Sequence, residues 1–332
     1  MEQERHCSAV ERALAQAQRG AVAEAYRMLG AAIAQGDAQA ALLLADWRLA
    51  GDPIRRDLGE ARAFYGRAAE LGLDEAAPVH IALLANGAGG SGRDWRRALD
   101  LLAARAATDP QAQRQCDLLA AMRIDGAGDP LYPAQRIAEH DLPRIERLPG
   151  FLTAAECRYV IDLALPLLQP AVVVHPQTGQ FIHDPVRRAH SAAFPFVIED
   201  PVLHALNRRI AAVTGTAYEQ GEPLQVLSYN PGDEYKLHSD AIAGEPNQRV
   251  RTVLVALSDD FSGGETDFPR AGVRLRGKVG DAIDFANVTP DGRPDERAWH
   301  AGLPVTRGRK LILSKWIRAA PLDLSGPPGK PF

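Results

Sequence analysis

Across the first 125 residues, apolar and small side chains recur at the spacing of helical turns between glycine-marked polar steps, which predicts a succession of short amphipathic helices. A longer period lies beneath it. Ala25, Ala61 and Ala98 recur at intervals of 36 and 37 residues, Gly36 and Gly72 at 36, and Gly51 and Gly87 at 36, with Ala31-Ala32 and Ala68-Ala69 just ahead of Gly36 and Gly72. Each unit reads as a helical hairpin whose small residues admit close approach, while Leu43, Leu44, Trp47, Phe64 and Tyr65 fill the space against the next unit. Between Arg123 and Gly150 the pattern breaks at Gly126, Gly128, Pro130, Pro133, Pro143 and Pro149, marking a linker or crossing strand. Thr153 and Glu156 then stand at capping-box spacing before Val160, Ile161, Leu163 and Ala164, so a helix is expected to about Leu168, and a second over Pro201 to Thr214. From Leu224 the period shortens to β-rich runs: Leu224 to Tyr229, Arg249 to Leu257, Gly272 to Arg276, Asp281 to Phe285 and Lys310 to Arg318. The chain is therefore expected to be α+β. Residues 1–125 form a helical repeat domain, 126–142 a linker, 143–320 a sandwich or barrel domain, and 321–332 a tail.

Composition narrows the function without naming it. A formal charge of -4 over 332 residues provides no bulk attraction to phosphate backbones, and neither a basic stripe nor a set of interleaved stacking aromatics is evident, so no nucleic-acid partner is expected. Cys7, Cys116 and Cys157 are isolated thiols with no close pair, which fits a reducing compartment. The mixed charge of Met1 to Arg5 and the absence of any apolar run near the roughly 20 residues that span a bilayer predict a cytoplasmic chain with no membrane partner.

The chemistry gathers between Tyr229 and Trp316. His238, Asp240 and His300 supply two imidazoles and a carboxylate, and Lys310 follows ten positions after the second histidine. Residues two apart in a strand share a face, so His238 and Asp240 can reach one cation, with His300 brought from a distant strand. Three such ligands leave the other positions of an octahedral ion open, as in non-haem iron oxygenases. The stretch Tyr229-Asn230-Pro231-Gly232-Asp233-Glu234-Tyr235-Lys236-Leu237-His238-Ser239-Asp240 is similar to a Tyr-x-x-Gly-x-x-Tyr-x-x-His-x-Asp motif. It is followed by Arg249 and Thr252, Gly263-Gly264-Glu265-Thr266 with Phe268-Pro269, then His300-Ala301-Gly302 with Pro304-Val305, Gly308, Lys310 and Trp316. From about Pro143 to Arg318 the chain thereby resembles the prolyl 4-hydroxylase-like family of 2-oxoglutarate and Fe(II)-dependent dioxygenases. Residues 20 to 122 resemble the Sel-like subclass of tetratricopeptide repeats.

The first resemblance implies a double-stranded β-helix, or jelly roll, with His238, Asp240 and His300 as ligands of Fe(II) and as the catalytic set. It implies 2-oxoglutarate as cosubstrate beside Tyr229, Lys310 and Thr252, together with O2 and ascorbate as a reductant. Arg249, Tyr235, Trp316 and Arg187 are expected to face substrate. Arg309 competes with Lys310 for the cosubstrate carboxylate, and since adjacent strand residues face opposite sides, only one can point inward. Gly263 and Gly264 are expected to serve a tight turn. A carboxylate ligand at Asp240 implies hydroxylation and not halogenation. The chain departs from the family at Ala241, Ile242 and Ala256, each smaller or less aromatic than usual there, and at a polar segment from Asn287 to Ala298 that reads as a mobile loop. Two substrate classes follow: a prolyl or similar residue in a peptide or protein, with the repeats binding polypeptide, or a free amino acid or other small metabolite, with the repeats as a buttress. A non-catalytic repeat scaffold is the third reading, and the full ligand set opposes it.

Overall fold

The computed structural model describes residues 8–90, 92–174, 181–183 and 186–323, without the side chains of 172–174 and 181–183; Cys7 and the end of the expected tail, 324–332, lie outside the described residues. The first third folds into α1 (Ala9–Gln18), α2 (Val22–Ala34), α3 (Ala38–Ala50), α4 (Leu58–Glu70), α5 (Ala76–Asn86), α6 (Trp95–Ala106) and α7 (Pro110–Ala121), each packed on the next. Asp37, Asp57, Asp94 and Asp109 start four of these helices by accepting an otherwise orphaned N–H of the first turn. The sequence period has a structural counterpart. Ala25, Ala61 and Ala98 are all fully buried on α2, α4 and α6, and Gly51 and Gly87 close α3 and α5 in the left-handed conformation.

The remainder supplies the strands and two further helices, α8 (Ala154–Ala164) and α9 (Pro201–Thr214). Thr153 and Glu156 form the expected reciprocal capping box of α8, which ends at Ala164 and passes into a 3-10 turn over Leu165–Leu167. An eight-stranded sheet runs in the order β1 (Ile137–His140), β2 (Ile145–Leu148), β13 (Ala282–Ala286), β9 (Arg249–Ala256), β16 (Lys310–Arg318), β7 (Leu224–Tyr229), β6 (His190–Phe194) and β3 (Gln169–Pro170). Against it stands a four-stranded sheet, β12 (Val273–Leu275), β11 (Thr266–Phe268), β14 (His300–Gly302) and β8 (Tyr235–His238); the pairs β4 (Val172–Val174) with β5 (Phe181–His183) and β10 (Ser262–Gly263) with β15 (Val305–Arg307) complete it. All described pairings are antiparallel, as a jelly roll requires. Strand β1 falls inside the stretch expected as linker, because Ile137 and its neighbours pair with β2 at the sheet edge.

One apolar core crosses between the halves. Ile81, Leu84, Trp95, Leu102 and Leu119 of the helices join Leu148, Tyr159, Val160, Leu203, Leu206, Val226 and Val253. Polar contacts fix the same face: Asn86 Nδ2 donates to the Phe196 carbonyl at 2.7 Å, and Arg114 pairs with Asp162 at 2.8 Å. No described helix is long and apolar enough to cross a membrane.

Candidate metal and cosubstrate site

Strand register assembles the site. His238 ends β8 and pairs directly with His300, which begins β14, so the two imidazoles face one another with ring centroids 4.3 Å apart. Asp240 lies two residues past the end of β8, with Oδ1 3.6 Å from His238 Nε2 and Oδ2 3.7 Å from His300 Nε2. One donor atom from each residue lies within 4.8 Å of the others. Each histidine uses Nδ1 on a backbone carbonyl two residues earlier, His238 on Lys236 at 2.8 Å and His300 on Ala298 at 3.1 Å. A carbonyl only accepts, so Nδ1 carries the proton and both Nε2 lone pairs face Asp240. His238 Nε2 is buried and makes no hydrogen bond among the described residues. Two lone pairs and a carboxylate turned on one another in a buried space repel unless a cation sits among them, so the donor set fits a divalent metal.

Electrostatics agree with that reading. Burial pushes the Asp240 carboxyl up, but the two imidazoles and the Thr252 hydroxyl outweigh it and hold the group below the usual carboxylate range. Burial drives His300 down to about 4 against the opposing pull of Asp240, which keeps the ring neutral and able to ligate. Around the rings, Tyr235 stacks on His238 with centroids 3.5 Å apart, while Phe268 and Phe285 pack against His300 at 5.3 and 4.7 Å.

These ligands line one pocket together with Tyr229, Tyr235, Leu254, Thr266, Lys310 and Trp316, among others. Lys310 opens β16 opposite Tyr229, and its ammonium lies 5.3 Å from the centroid of that ring. It donates to the Gly264 carbonyl at 2.7 Å, and no described carboxylate pairs with it; burial pushes it down to about 8, partly offset by more distant Glu265. A buried ammonium with only a neutral partner suits an anionic ligand. Arg309 faces the other way, with Nε donating to Ser228 Oγ at 2.7 Å. Gly263 and Gly264 both have left-handed φ, and a Cβ on Gly263 would lie 2.3 Å from the Pro304 carbonyl oxygen, which confirms their geometric use.

Other expectations change on contact with the structure. Thr252, expected beside the cosubstrate, sends its hydroxyl to Asp240 Oδ2 at 2.6 Å and does not line the pocket. Arg249, expected to face substrate, grips Glu222 through Nε and Nη2 at 2.6 and 2.7 Å and lies 4.0 Å over the Trp316 ring. Glu222 also accepts from Arg318 at 2.6 Å, so it stands between two strand-end guanidiniums. Arg187 is buried, its guanidinium 5.4 Å from the centroid of the Tyr235 ring, and is not among the pocket-lining residues. Tyr235 and Trp316 do line the pocket, and Trp316 Nε1 is buried without a described partner. Asn287, read in the sequence only as the start of a polar loop, is buried and donates to Thr252 Oγ1 at 2.9 Å. Nor is 287–298 an open loop: Val288 bridges Pro294, Thr289 donates to the Arg293 carbonyl at 2.8 Å, and Asp295 donates to the Asn287 carbonyl at 3.0 Å.

Two imidazoles, a carboxylate and a buried lysine on a double-stranded β-helix define a non-haem iron oxygenase that uses 2-oxoglutarate. Residues 224–318 match the 2OG-Fe(II) oxygenase superfamily. The chain is 36% identical over 195 residues to prolyl 4-hydroxylase 1 of Arabidopsis thaliana, covering 53% of this chain and 69% of that protein. It is 36% identical over 205 residues to the prolyl 4-hydroxylase subunit alpha-1 of Rattus norvegicus, covering 58% of this chain and 38% of that one. Among solved structures, the viral collagen prolyl hydroxylase of Paramecium Bursaria Chlorella virus-1 shares 28% identity, with a TM-score of 0.43, over 53% of this chain and 96% of its own. The chain belongs to the prolyl 4-hydroxylase family of 2-oxoglutarate- and Fe(II)-dependent dioxygenases, with Fe(II), 2-oxoglutarate and O2 as its requirements.

Proposed function

We propose that this dioxygenase hydroxylates a prolyl or similar residue in a peptide or protein, with His238, Asp240 and His300 holding Fe(II) and Lys310 holding the far carboxylate of 2-oxoglutarate beside Tyr229. The observation that carries this reading is the shared pocket: the three donor atoms and the anion-seeking Lys310 ammonium face one space, bounded by aromatic rings. When bound, the iron and its cosubstrate supply oxidative decarboxylation to succinate and CO2, coupled to hydroxylation of a C–H bond. The chain's own work is positional. Backbone carbonyls fix both imidazole tautomers, Phe268 and Phe285 exclude water behind His300, and Tyr235 with Trp316 forms the wall against which a substrate ring would rest. The peptide class is supported by the names of the relatives, prolyl 4-hydroxylases of plants and mammals.

The helices preceding this domain read as a Sel-like repeat array, supported by the equivalent burial of Ala25, Ala61 and Ala98. Repeats of this kind offer a protein partner surface as well as the buttress seen in the common core. Incubation of the iron-loaded protein and 2-oxoglutarate with proline-containing peptides should release succinate and add one oxygen atom to the peptide. Succinate release with free amino acids and no peptide oxidation would instead support the small-metabolite reading.

A further inference from the structure

A buried pair of hydrogen bonds ends on Asp240. Thr252 sits on β9, fully buried, and gives its only hydroxyl proton to Asp240 Oδ2 at 2.6 Å. Its oxygen then accepts from Asn287 Nδ2 at 2.9 Å, so the direction runs from Asn287 through Thr252 to the carboxylate. Asn287 is itself fixed on both sides of its backbone, its N–H donating to the Val250 carbonyl at 2.9 Å and its carbonyl accepting from Asp295 at 3.0 Å. The same segment ends at Ala298, whose carbonyl orients His300. We infer that Thr252 and Asn287 are positioning residues for the metal centre, clamping the Asp240 carboxylate so that it ligates through one oxygen, and that segment 287–298 braces two of the three ligands at once. The inference rests on the metal-site reading above and extends it to residues that touch neither metal nor cosubstrate.

The chemistry makes the clamp useful. An unrestrained carboxylate can rotate and bind a cation through both oxygens, taking a position needed by another ligand. A proton held on Oδ2 from a buried neighbour prevents that rotation, and such outer contacts set metal affinity by about 10- to 100-fold.

The test uses the full-length, metal-stripped protein and Mn2+ as the probe, with binding followed by calorimetry and the 2-oxoglutarate KM measured separately at saturating Fe(II). Thr252→Val should weaken Mn2+ binding by about 10- to 100-fold with an unchanged 2-oxoglutarate KM, and Thr252→Ser should restore it. Asn287→Ala should weaken Mn2+ binding in the wild-type background and add nothing beyond about twofold in the Thr252→Val background, because it acts through that hydroxyl. Wild-type Mn2+ affinity in Thr252→Val with a raised 2-oxoglutarate KM would return Thr252 to cosubstrate contact and overturn the inference. Equal Asn287→Ala effects in both backgrounds would overturn it too. If Thr252→Val gives no cooperative thermal transition, Asn287→Ala alone decides, with wild-type Mn2+ affinity counting against the clamp. Unchanged Mn2+ binding in His238→Ala is a separate result, which removes the site reading itself.

Discussion

Lys310 and Arg309 show how one residue of register assigns a charge. Both are cations at the start of β16, but alternation sends Lys310 toward Tyr229 and Gly264 and Arg309 toward Ser228. Lys310→Ala is expected to raise the 2-oxoglutarate KM at least about tenfold, the loss of a charge-assisted contact of roughly 1.5 to 3 kcal/mol, while Arg309→Ala leaves it near wild type. Steady-state kinetics with varied 2-oxoglutarate decides between them, and the reverse outcome would move the carboxylate to Arg309. Because burial pushes Lys310 down to about 8, its ammonium is present below that pH and lost above it. Accordingly kcat/KM for 2-oxoglutarate should decline as pH rises through about 8, and that limb should vanish in Lys310→Ala. The stability effect has the opposite sign: the unfolded chain keeps this proton to higher pH, so burying the charge costs stability below about 8 and the cost is relieved above it. His238→Ala should abolish both metal uptake and turnover, since it removes one of the three donors found among the described residues. His238, Asp240 and His300 were legible because their residue types and their motif are local. Asn287 was not, because nothing within ten residues of it says that its amide meets Thr252.

Elements were legible where their ends carry their own signals. Thr153 and Glu156 complete a capping box in the structure as they do on paper, and Pro201 with Asp200 before it starts α9, Asp200 accepting from Leu203 at 2.9 Å. Thr153→Ala should cost about 1 kcal/mol, read as a lower urea midpoint with an unchanged slope. Two elements misled. Strand β1 is short and half-buried at a sheet edge, so its pattern is too weak to stand out from the prolines around it. The segment 287–298 looked loose because it is polar, yet its polar groups are spent internally: Arg297 on Asp295 at 2.8 Å, Thr289 on Arg293, and Asn287 on Thr252.

At the scale of the molecule, the helical array and the oxygenase domain share one core. Trp95 on α6 is buried, lies 5.9 Å from the His204 ring on α9, and is met closely by the backbone of Gly128. Trp95→Ala should cost about 3 to 5 kcal/mol and lower the melting temperature of the oxygenase domain together with that of the helices. Two independent transitions, with only the helical one shifted, would argue against a common core. Removing residues 1–125 should strip the cover from Leu203 and Leu206 on α9 and leave a poorly soluble remainder.

What the sequence determined by itself was the local chemistry: helix period and caps, the repeat interval near 36 residues, and the donor types at His238, Asp240 and His300. Those follow from forces acting over a few neighbouring residues. Only the tertiary structure decided that His300 pairs opposite His238, that Glu222 captures Arg249, that Thr252 turns to Asp240, and that the N-terminal helices lie on α9. Each of these depends on strand register or on a shared buried surface, where one partner is tens of residues from the other and desolvation makes every unpaired polar group costly.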